Sequence, residues 1–492
     1  MQSDTKINQV VLDRTVVRLR ERNIILPTYE EMRSPSKIPS KIREELQQIG
    51  LWDLNSRNLF RITWRNEPTN YGGGFGNVNY VKLPQEITGV EATIIVLVGK
   101  YFPTGSHKVG ATFGPLVEKL IKGTFDPTIH KALWPSTGNY CRGGAYDSYL
   151  LSCPSIAVLP EGMSKERFEW LHKTGTEIYK TPGVESNVKE VFDKTKELKN
   201  NHPDEIVVLN QFDEFGNPIW HYAVTGPTLE DVYKQEKTDS QQLTALFLTQ
   251  GSAGTLGAGN YLREKFPRIL IGAGEATQCP TLLYNGFGGH RIEGIGDKHV
   301  PWVFDVKNID MVIDIDDKAC MNLMMLFNDK VGKKYLIGQG IDEELVEKLE
   351  LFGISSIGNI LGAIKMAKYY EMTKNDIVLT IATDSMELYQ SRLIEMQRIY
   401  SHYSEINAAS NYERYLMGIN TEQILELSYW DKKRLHNLKY FTWVEQQGKT
   451  VEELEEQWYN DNYWSDRLNS FKEWDLLIKQ LNEKVGLIQK YR

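Results

Sequence analysis

Apolar residues recur along this chain at two spacings. Short β-branched and aliphatic runs predict strands over Thr93–Val98, Ser155–Leu159, Ile206–Leu209, Thr244–Thr249, Ile269–Ala273, Met311–Ile315 and Asp376–Thr383. Between them the spacing becomes helical, as in Val109, Thr112, Phe113, Leu116, Val117, Leu120 and Ile121. Strands alternating with amphipathic helices predict an α/β architecture with a largely parallel sheet.

The two ends read differently. Residues 1–78 are charged and helix-leaning and close on the loop Tyr71-Gly-Gly-Gly-Phe-Gly76. All 18 prolines lie at or before Pro301, so the tail, 400–492, has none, yet it holds five of the eleven tryptophans. Thr450-Val-Glu-Glu453 has capping-box spacing and predicts a helix start. The tail is expected to be a helical extension packed on the core or on a partner subunit, its aromatics filling helix–helix contacts.

Composition narrows the class. Hydrophobic residues at 41% and charged residues at 25% exclude a disordered or fibrous chain. A net charge of -8 gives no global pull toward nucleic acid. Cys141, Cys153, Cys279 and Cys320 form no CxxC pair and no disulfide framework, which fits a reducing cytosol; no metal site is expected. The polar start, MQSDTKINQ, lacks the apolar core of a signal peptide, and the longest apolar run, 92–99, is too short for a bilayer. A soluble cytoplasmic protein is therefore expected, with no nucleic-acid or membrane partner.

Three segments carry candidate chemistry. Tyr101-Phe-Pro-Thr-Gly-Ser-His-Lys108 precedes the amphipathic helix, so Lys108 falls at a helix N-terminus, where its ammonium can be made more acidic and hence nucleophilic. Ser136-Thr-Gly-Asn-Tyr140 gathers small donors before a helix, suited to an anionic oxygen or to an ordinary capped loop. Thr249-Gln-Gly-Ser-Ala-Gly-Thr255 follows a strand, where small residues let backbone amides approach a phosphate; it matches neither the P-loop nor G-x-G-x-x-G.

In this order the three segments resemble the cysteine synthase and cystathionine β-synthase family. The resemblance continues through Leu159-Pro-Glu-Gly-Met-Ser-Lys-Glu-Arg167, Asn217-Pro-Ile-Trp-His221, Gly289-His-Arg-Ile-Glu-Gly-Ile-Gly296, Gly353-Ile-Ser-Ser356 and Thr383-Asp-Ser-Met-Glu-Leu-Tyr389. It covers roughly residues 80–395 and leaves both ends unexplained. It implies the two-subdomain tryptophan synthase β-like fold (fold type II) over 79–399, a pyridoxal 5′-phosphate cofactor, an amino-acid substrate and a homodimer. About 150 residues per domain would suggest three domains; the motifs imply one catalytic unit with two extensions.

The resemblance also implies roles. Lys108 would hold the cofactor as an internal aldimine and shuttle the α-proton. Asn139 would bond the 3′-oxygen, and Ser385 would face the pyridine nitrogen. Gly251, Ser252, Ala253, Gly254 and Thr255 would cradle the phosphate, and His107 would flank it or serve packing. Ser136, Thr137, Gly138 and Gln211 would receive the substrate carboxylate. Departures from the family pattern fall at Tyr140, a bulky ring by the carboxylate site, and at Asp297, either an acid acting on a nucleophile or leaving group or a solvated loop residue. Cys141 reads as a small buried thiol. The expected activity is β-replacement on an L-amino acid through an aminoacrylate, with β-elimination as the alternative and a catalytically silent binding relative as a third reading.

Overall fold

The computed structural model describes residues 7–136, 138–184 and 187–491. All seven expected strands are present, and four more join them. In chain order the strands are β1 (Tyr80–Leu83), β2 (Thr93–Val98), β3 (Lys131–Pro135), β4 (Ser155–Pro160), β5 (Glu177–Thr181), β6 (Ile206–Val208), β7 (Gln242–Thr249), β8 (Leu270–Ala276), β9 (Met311–Ile315), β10 (Asp376–Ala382) and β11 (Ile424–Glu426).

They form a seven-stranded sheet, β1-β2-β10-β7-β8-β9-β11, and a four-stranded sheet, β5-β4-β3-β6. The smaller sheet is wholly parallel, and the larger is parallel except at its two edges. The near-continuous apolar strands follow from this, because a parallel sheet is covered on both faces. Chain 131–208 builds the smaller sheet as an excursion between β2 and β7.

The helix Lys108–Lys122 is buried beyond what its pattern predicts. Besides the expected stripe, Gly110, Ala111, Gly114 and Pro115 are also buried. One cause is a close crossing: a Cβ on Gly114 would lie 2.2 Å from the carbonyl oxygen of Gly216, so backbone meets backbone there. The other is cover from the two ends of the chain. Tyr29 meets Phe113 edge-on at 6.2 Å, and the Lys122 ammonium sits 5.4 Å from the Trp474 ring.

The arm and tail hold each other as well. Asn482 in the helix Phe471–Val485 accepts from Leu26 N at 3.0 Å and returns its amide to Leu26 O at 2.8 Å. The Asp475 carboxylate accepts from Tyr29 N at 2.7 Å and Glu30 N at 3.2 Å, serving the start of the helix Tyr29–Arg33. Both ends share one apolar cluster with the middle of the chain, through Leu12, Leu19, Ile478 and Leu481.

The tail is helical as expected, and Thr450 forms the expected capping box with Glu453. One addition is β11, which pairs antiparallel with β9 and closes that edge of the large sheet. Three residues give too little alternation for a sequence signal. Trp443, Trp458, Trp464 and Trp474 are buried, whereas Trp430 is 76% exposed. Among the described residues no single helix is long and apolar enough to cross a membrane.

The clasp at Asn482 yields a stability test. Asn482→Ala leaves the buried N–H and C=O of Leu26 unpaired, at a cost of about 1–3 kcal/mol. Thermal unfolding should fall accordingly, while Leu476→Ala on the same helix, 60% exposed, should stay within about 0.5 kcal/mol of the parent.

Candidate active site

Every candidate segment follows the carboxyl end of a parallel strand. Lys108 comes after β2, Ser136 after β3, Gln211 after β6, the 251–255 loop after β7 and Ser385 after β10. That is where a parallel α/β sheet forms its ligand crevice.

Lys108 opens its helix because the preceding turn is forced. Thr104 and Gly105 take φ of 68° and 73°, turning the chain sharply after β2. Arg142 Nη2 pins the turn by donating to Thr104 O at 2.9 Å, and Asn66 Nδ2 donates to Tyr101 O at 2.7 Å.

A chain of hydrogen bonds then joins the three loops. Lys108 Nζ donates to Ser252 Oγ at 3.3 Å, and Asn217 Nδ2 donates to the same oxygen at 3.0 Å and to Gln211 O at 3.0 Å. Gln211 Nε2 donates to Ser136 Oγ at 3.2 Å, which also accepts from Gly138 N at 3.1 Å. The structure thus brings together Lys108, Ser252, Gln211, Ser136 and Gly138. Thr137 lies outside the described residues.

The glycine loop has two functions. Among the described residues, the backbone N–H groups of 251–255 find no protein acceptor, which leaves a row of donors for an anion. The glycines themselves answer to the protein's own packing: a Cβ on Gly251 would lie 2.7 Å from Gly294 O, and one on Gly254 would lie 2.0 Å from Asn217 Oδ1. Ala253 holds φ of 62°, a left-handed position that a small side chain tolerates best.

Asn139 begins the helix Asn139–Leu150 and is buried. Its Nδ2 donates to Asp384 Oδ2 at 2.5 Å, and that oxygen also accepts from Tyr389 OH at 2.7 Å. Arg167 extends the cluster, reaching Glu293 at 3.2 Å and Tyr389 OH at 3.3 Å. A Cβ on Gly138 would fall 2.1 Å from Arg167 Nη1, so only glycine lets that loop pass. Asn217, Asp384 and Arg167 lie within the quoted motifs, but nothing in their spacing distinguishes them from neighbours; contact does.

Buried ionisable groups set the electrostatics. Asp297 is 3% exposed, so it is not a solvated loop residue. Burial pushes its carboxyl up to about 7, against the pull of the Lys108 ammonium. His107 packs against Trp64 and His221, at 5.6 and 5.0 Å between ring centres. Burial, reinforced by Lys108, drives its imidazole down to about 3, which keeps it neutral. Ser385 Oγ is buried with no hydrogen-bond partner among the described residues. Tyr140 packs edge-on against Trp134 at 5.4 Å. Cys141 donates to Trp134 O at 3.0 Å, and burial raises its thiol to about 12, as befits an inert buried cysteine.

Residues 73–332 match the family model described as "Pyridoxal-phosphate dependent enzyme". Cysteine synthase of Staphylococcus aureus is 29% identical over 319 residues, covering 64% of this chain and 93% of its own. Cystathionine beta-synthase of Saccharomyces cerevisiae is 26% identical over 323 residues, 64% of this chain and 60% of its own. Among solved structures, a hydrogen sulfide-producing enzyme from Fusobacterium nucleatum superposes with a TM-score of 0.54 at 25% identity, covering 64% of this chain and 97% of its own. An O-acetylserine dependent cystathionine beta-synthase from Helicobacter pylori gives 0.53 at 25% identity, with 64% and 95% covered.

The junction at Asn217 makes a test of the loop assembly. Gly254→Ala drives a methyl into the Asn217 amide, so the links to Ser252 and Gln211 must break or stretch. A loss of about 1–3 kcal/mol is expected in thermal unfolding. Gly338→Ala provides the control for added bulk alone, since a Cβ there meets nothing within 4 Å and the position, at the end of the helix Lys330–Gly338, carries no left-handed φ.

Proposed function

Because the chain belongs to the pyridoxal-phosphate-dependent enzymes, we propose that it catalyses β-replacement on an L-amino acid, in which a β-substituent leaves and a nucleophile takes its place. Its cofactor, pyridoxal 5′-phosphate, supplies the electron sink for negative charge at the substrate α-carbon. The residues fit that group on structural grounds. On the same candidate segments, the buried atoms Asn139 Oδ1, Asp384 Oδ1, Ser385 Oγ and both His107 ring nitrogens have no hydrogen-bond partner among the described residues. Such atoms are costly to bury unless something else satisfies them.

The observation that carries the reading is the hydrogen-bond chain from Lys108 Nζ through Ser252, Asn217 and Gln211 to Ser136. It links the segments that this reading takes as an amine, an anion cradle and a carboxylate-binding loop. In this reading Lys108 holds the cofactor's aldehyde end and moves the substrate α-proton at Nζ. The free N–H groups of 251–255 take the phosphate, with the neutral His107 beside them, and the Asn139 amide takes the 3′-oxygen. Ser136, Thr137, Gly138 and Gln211 bind the substrate carboxylate. Asp297 is the acid–base group for the nucleophile or leaving group, a role supported by its burial and by the pull of the Lys108 ammonium on its carboxyl.

The second reading, β-elimination ending in pyruvate and ammonia, draws on the same Asp297, whose carboxylate can direct water. Incubation with L-cysteine and a second thiol separates the two: replacement gives sulfide and a thioether amino acid without pyruvate, whereas elimination gives pyruvate in step with sulfide. A cytoplasmic homodimer belongs to this proposal too, the compartment supported by four buried free cysteines and the dimer by family resemblance.

Two outcomes test the roles. Lys108→Ala should abolish the visible absorbance of the bound cofactor and lower turnover by at least about 10³-fold. Below about pH 7 the Asp297 carboxyl is protonated and cannot accept a proton, so turnover should fall as pH drops through that value. Asp297→Asn should remove this limb of the pH profile and slow turnover by about 10²-fold; an unchanged profile would exclude Asp297 as the base.

A further inference from the structure

Next to the loop that carries Asp297 lies a cavity of about 390 Å³, a size that small-molecule pockets take. Among the described residues, none of those assigned to the cofactor or to the substrate carboxylate lines it. The catalytic unit supplies Val188 and Phe192, from the helix Val188–Asn201, and His299. The tail supplies Leu438 and Phe441. The cavity therefore exists only where the tail covers the catalytic unit.

His299 is the first sign that something binds there. Its ring is 7% exposed and sits among three others, with centres 4.6 Å from Phe212, 5.6 Å from Phe192 and 5.8 Å from Trp443. Burial drives the imidazole down to about 3, so it is neutral and carries one N–H donor and one acceptor. Neither nitrogen has a hydrogen-bond partner among the described residues; Nε2 is closed off from solvent, which leaves Nδ1 as the polar atom that the ring offers to the cavity. A phenylalanine would fill the same aromatic box without burying polar atoms. What imidazole adds is a hydrogen bond for an occupant.

The remaining lining gives that occupant its chemistry. Phe441 and Phe287 are 56% and 77% exposed, and large apolar rings left open around one cavity mark a binding surface. Lys189 and Asp193 pair with each other. Lys298, over the Phe287 ring at 5.8 Å, is then the lining cation with no ion pair among the described residues. Apolar walls, one open cation and one neutral hydrogen-bonding ring suit an aromatic body that carries a negative charge.

We propose that this cavity is a second binding site, separate from the one around Lys108, for a small carboxylic acid with an aromatic body. The carboxylate meets Lys298, the ring lies against Phe192 and Phe441, and His299 supplies a hydrogen bond. Thr281 also lines the cavity, and its hydroxyl donates to Asp297 O at 2.8 Å. A bound acid is thus held between the tail and the support of the Asp297 loop.

The test titrates 3-phenylpropionate and its uncharged amide, 3-phenylpropanamide, against the full-length protein loaded with pyridoxal phosphate, at neutral pH, with binding read by NMR of the probe. The parent should bind the acid at least about 10-fold more tightly than the amide, the share of one charge-assisted bond. Lys298→Ala should bring the acid down to the level of the amide, and Phe441→Ala should weaken both by about 5-fold or more. Both side chains are exposed, so neither variant threatens the fold. Gln211→Ala, which alters the substrate carboxylate position, should leave acid binding unchanged. No binding in the parent, equal affinity for acid and amide, discrimination that survives Lys298→Ala, or affinity untouched by Phe441→Ala would each overturn the site. So would binding lost in Gln211→Ala and kept in Lys298→Ala, which would put the acid where the substrate carboxylate goes.

Discussion

A single buried amide holds the site together. Asn217 gives its two hydrogens to Ser252 and to the backbone of Gln211, and so ties the loop after β7 to the loop after β6. Lys108 joins at the same Ser252 oxygen, and Ser136 joins through the Gln211 side chain. The amide can be there only because its helix, Gly216–Trp220, crosses the lysine helix at backbone contact, with glycine on both sides. Side-chain volume at any of Gly114, Gly216 or Gly254 would move the amide away from its partners. Close packing of small residues is thus the condition for the polar geometry, and the polar geometry for the chemistry.

The architecture was legible where the chain repeats a simple period. The seven expected strands were long apolar runs, and a parallel sheet buried on both faces produces such runs. Two of the four additional strands are of another kind. Glu177–Thr181 is a half-exposed edge with two charged residues, and Ile424–Glu426 is short; both are set by the strand beside them, not by their own pattern. In the site, the lysine and the small-residue loops stood out by composition and position, whereas Gln211 came only from the family resemblance. Asn217, Asp384 and Arg167 did not, because an amide, an acid or a guanidinium in a loop is common until its neighbour across space is known. Burial, which sequence spacing does not encode, rules out a solvated loop residue at Asp297.

Charge is managed in the site by dehydration. His107 is kept neutral and Asp297 is poised near neutrality, both chiefly because water is excluded. The tail contributes to that exclusion. Trp443 donates to Val300 O at 2.8 Å, and the buried Lys439 ammonium binds Trp302 O at 3.1 Å and Phe304 O at 2.7 Å. These contacts grip the chain a few residues beyond Asp297. The extension therefore braces a loop that departs from the family pattern.

The clasp between Leu26 and Asn482 spans 456 positions of the chain. A ribosome releases the first partner long before it makes the second. Until the last helix emerges, the outer side of the lysine helix lacks Trp474 and the arm lacks its anchor, so an apolar surface waits uncovered through most of synthesis. Synthesis past Asn482, more than the folding of the central sheets, is the event that seals this core, and a ribosome stalled before the helix Phe471–Val485 has emerged would leave the sheets formed and the core open.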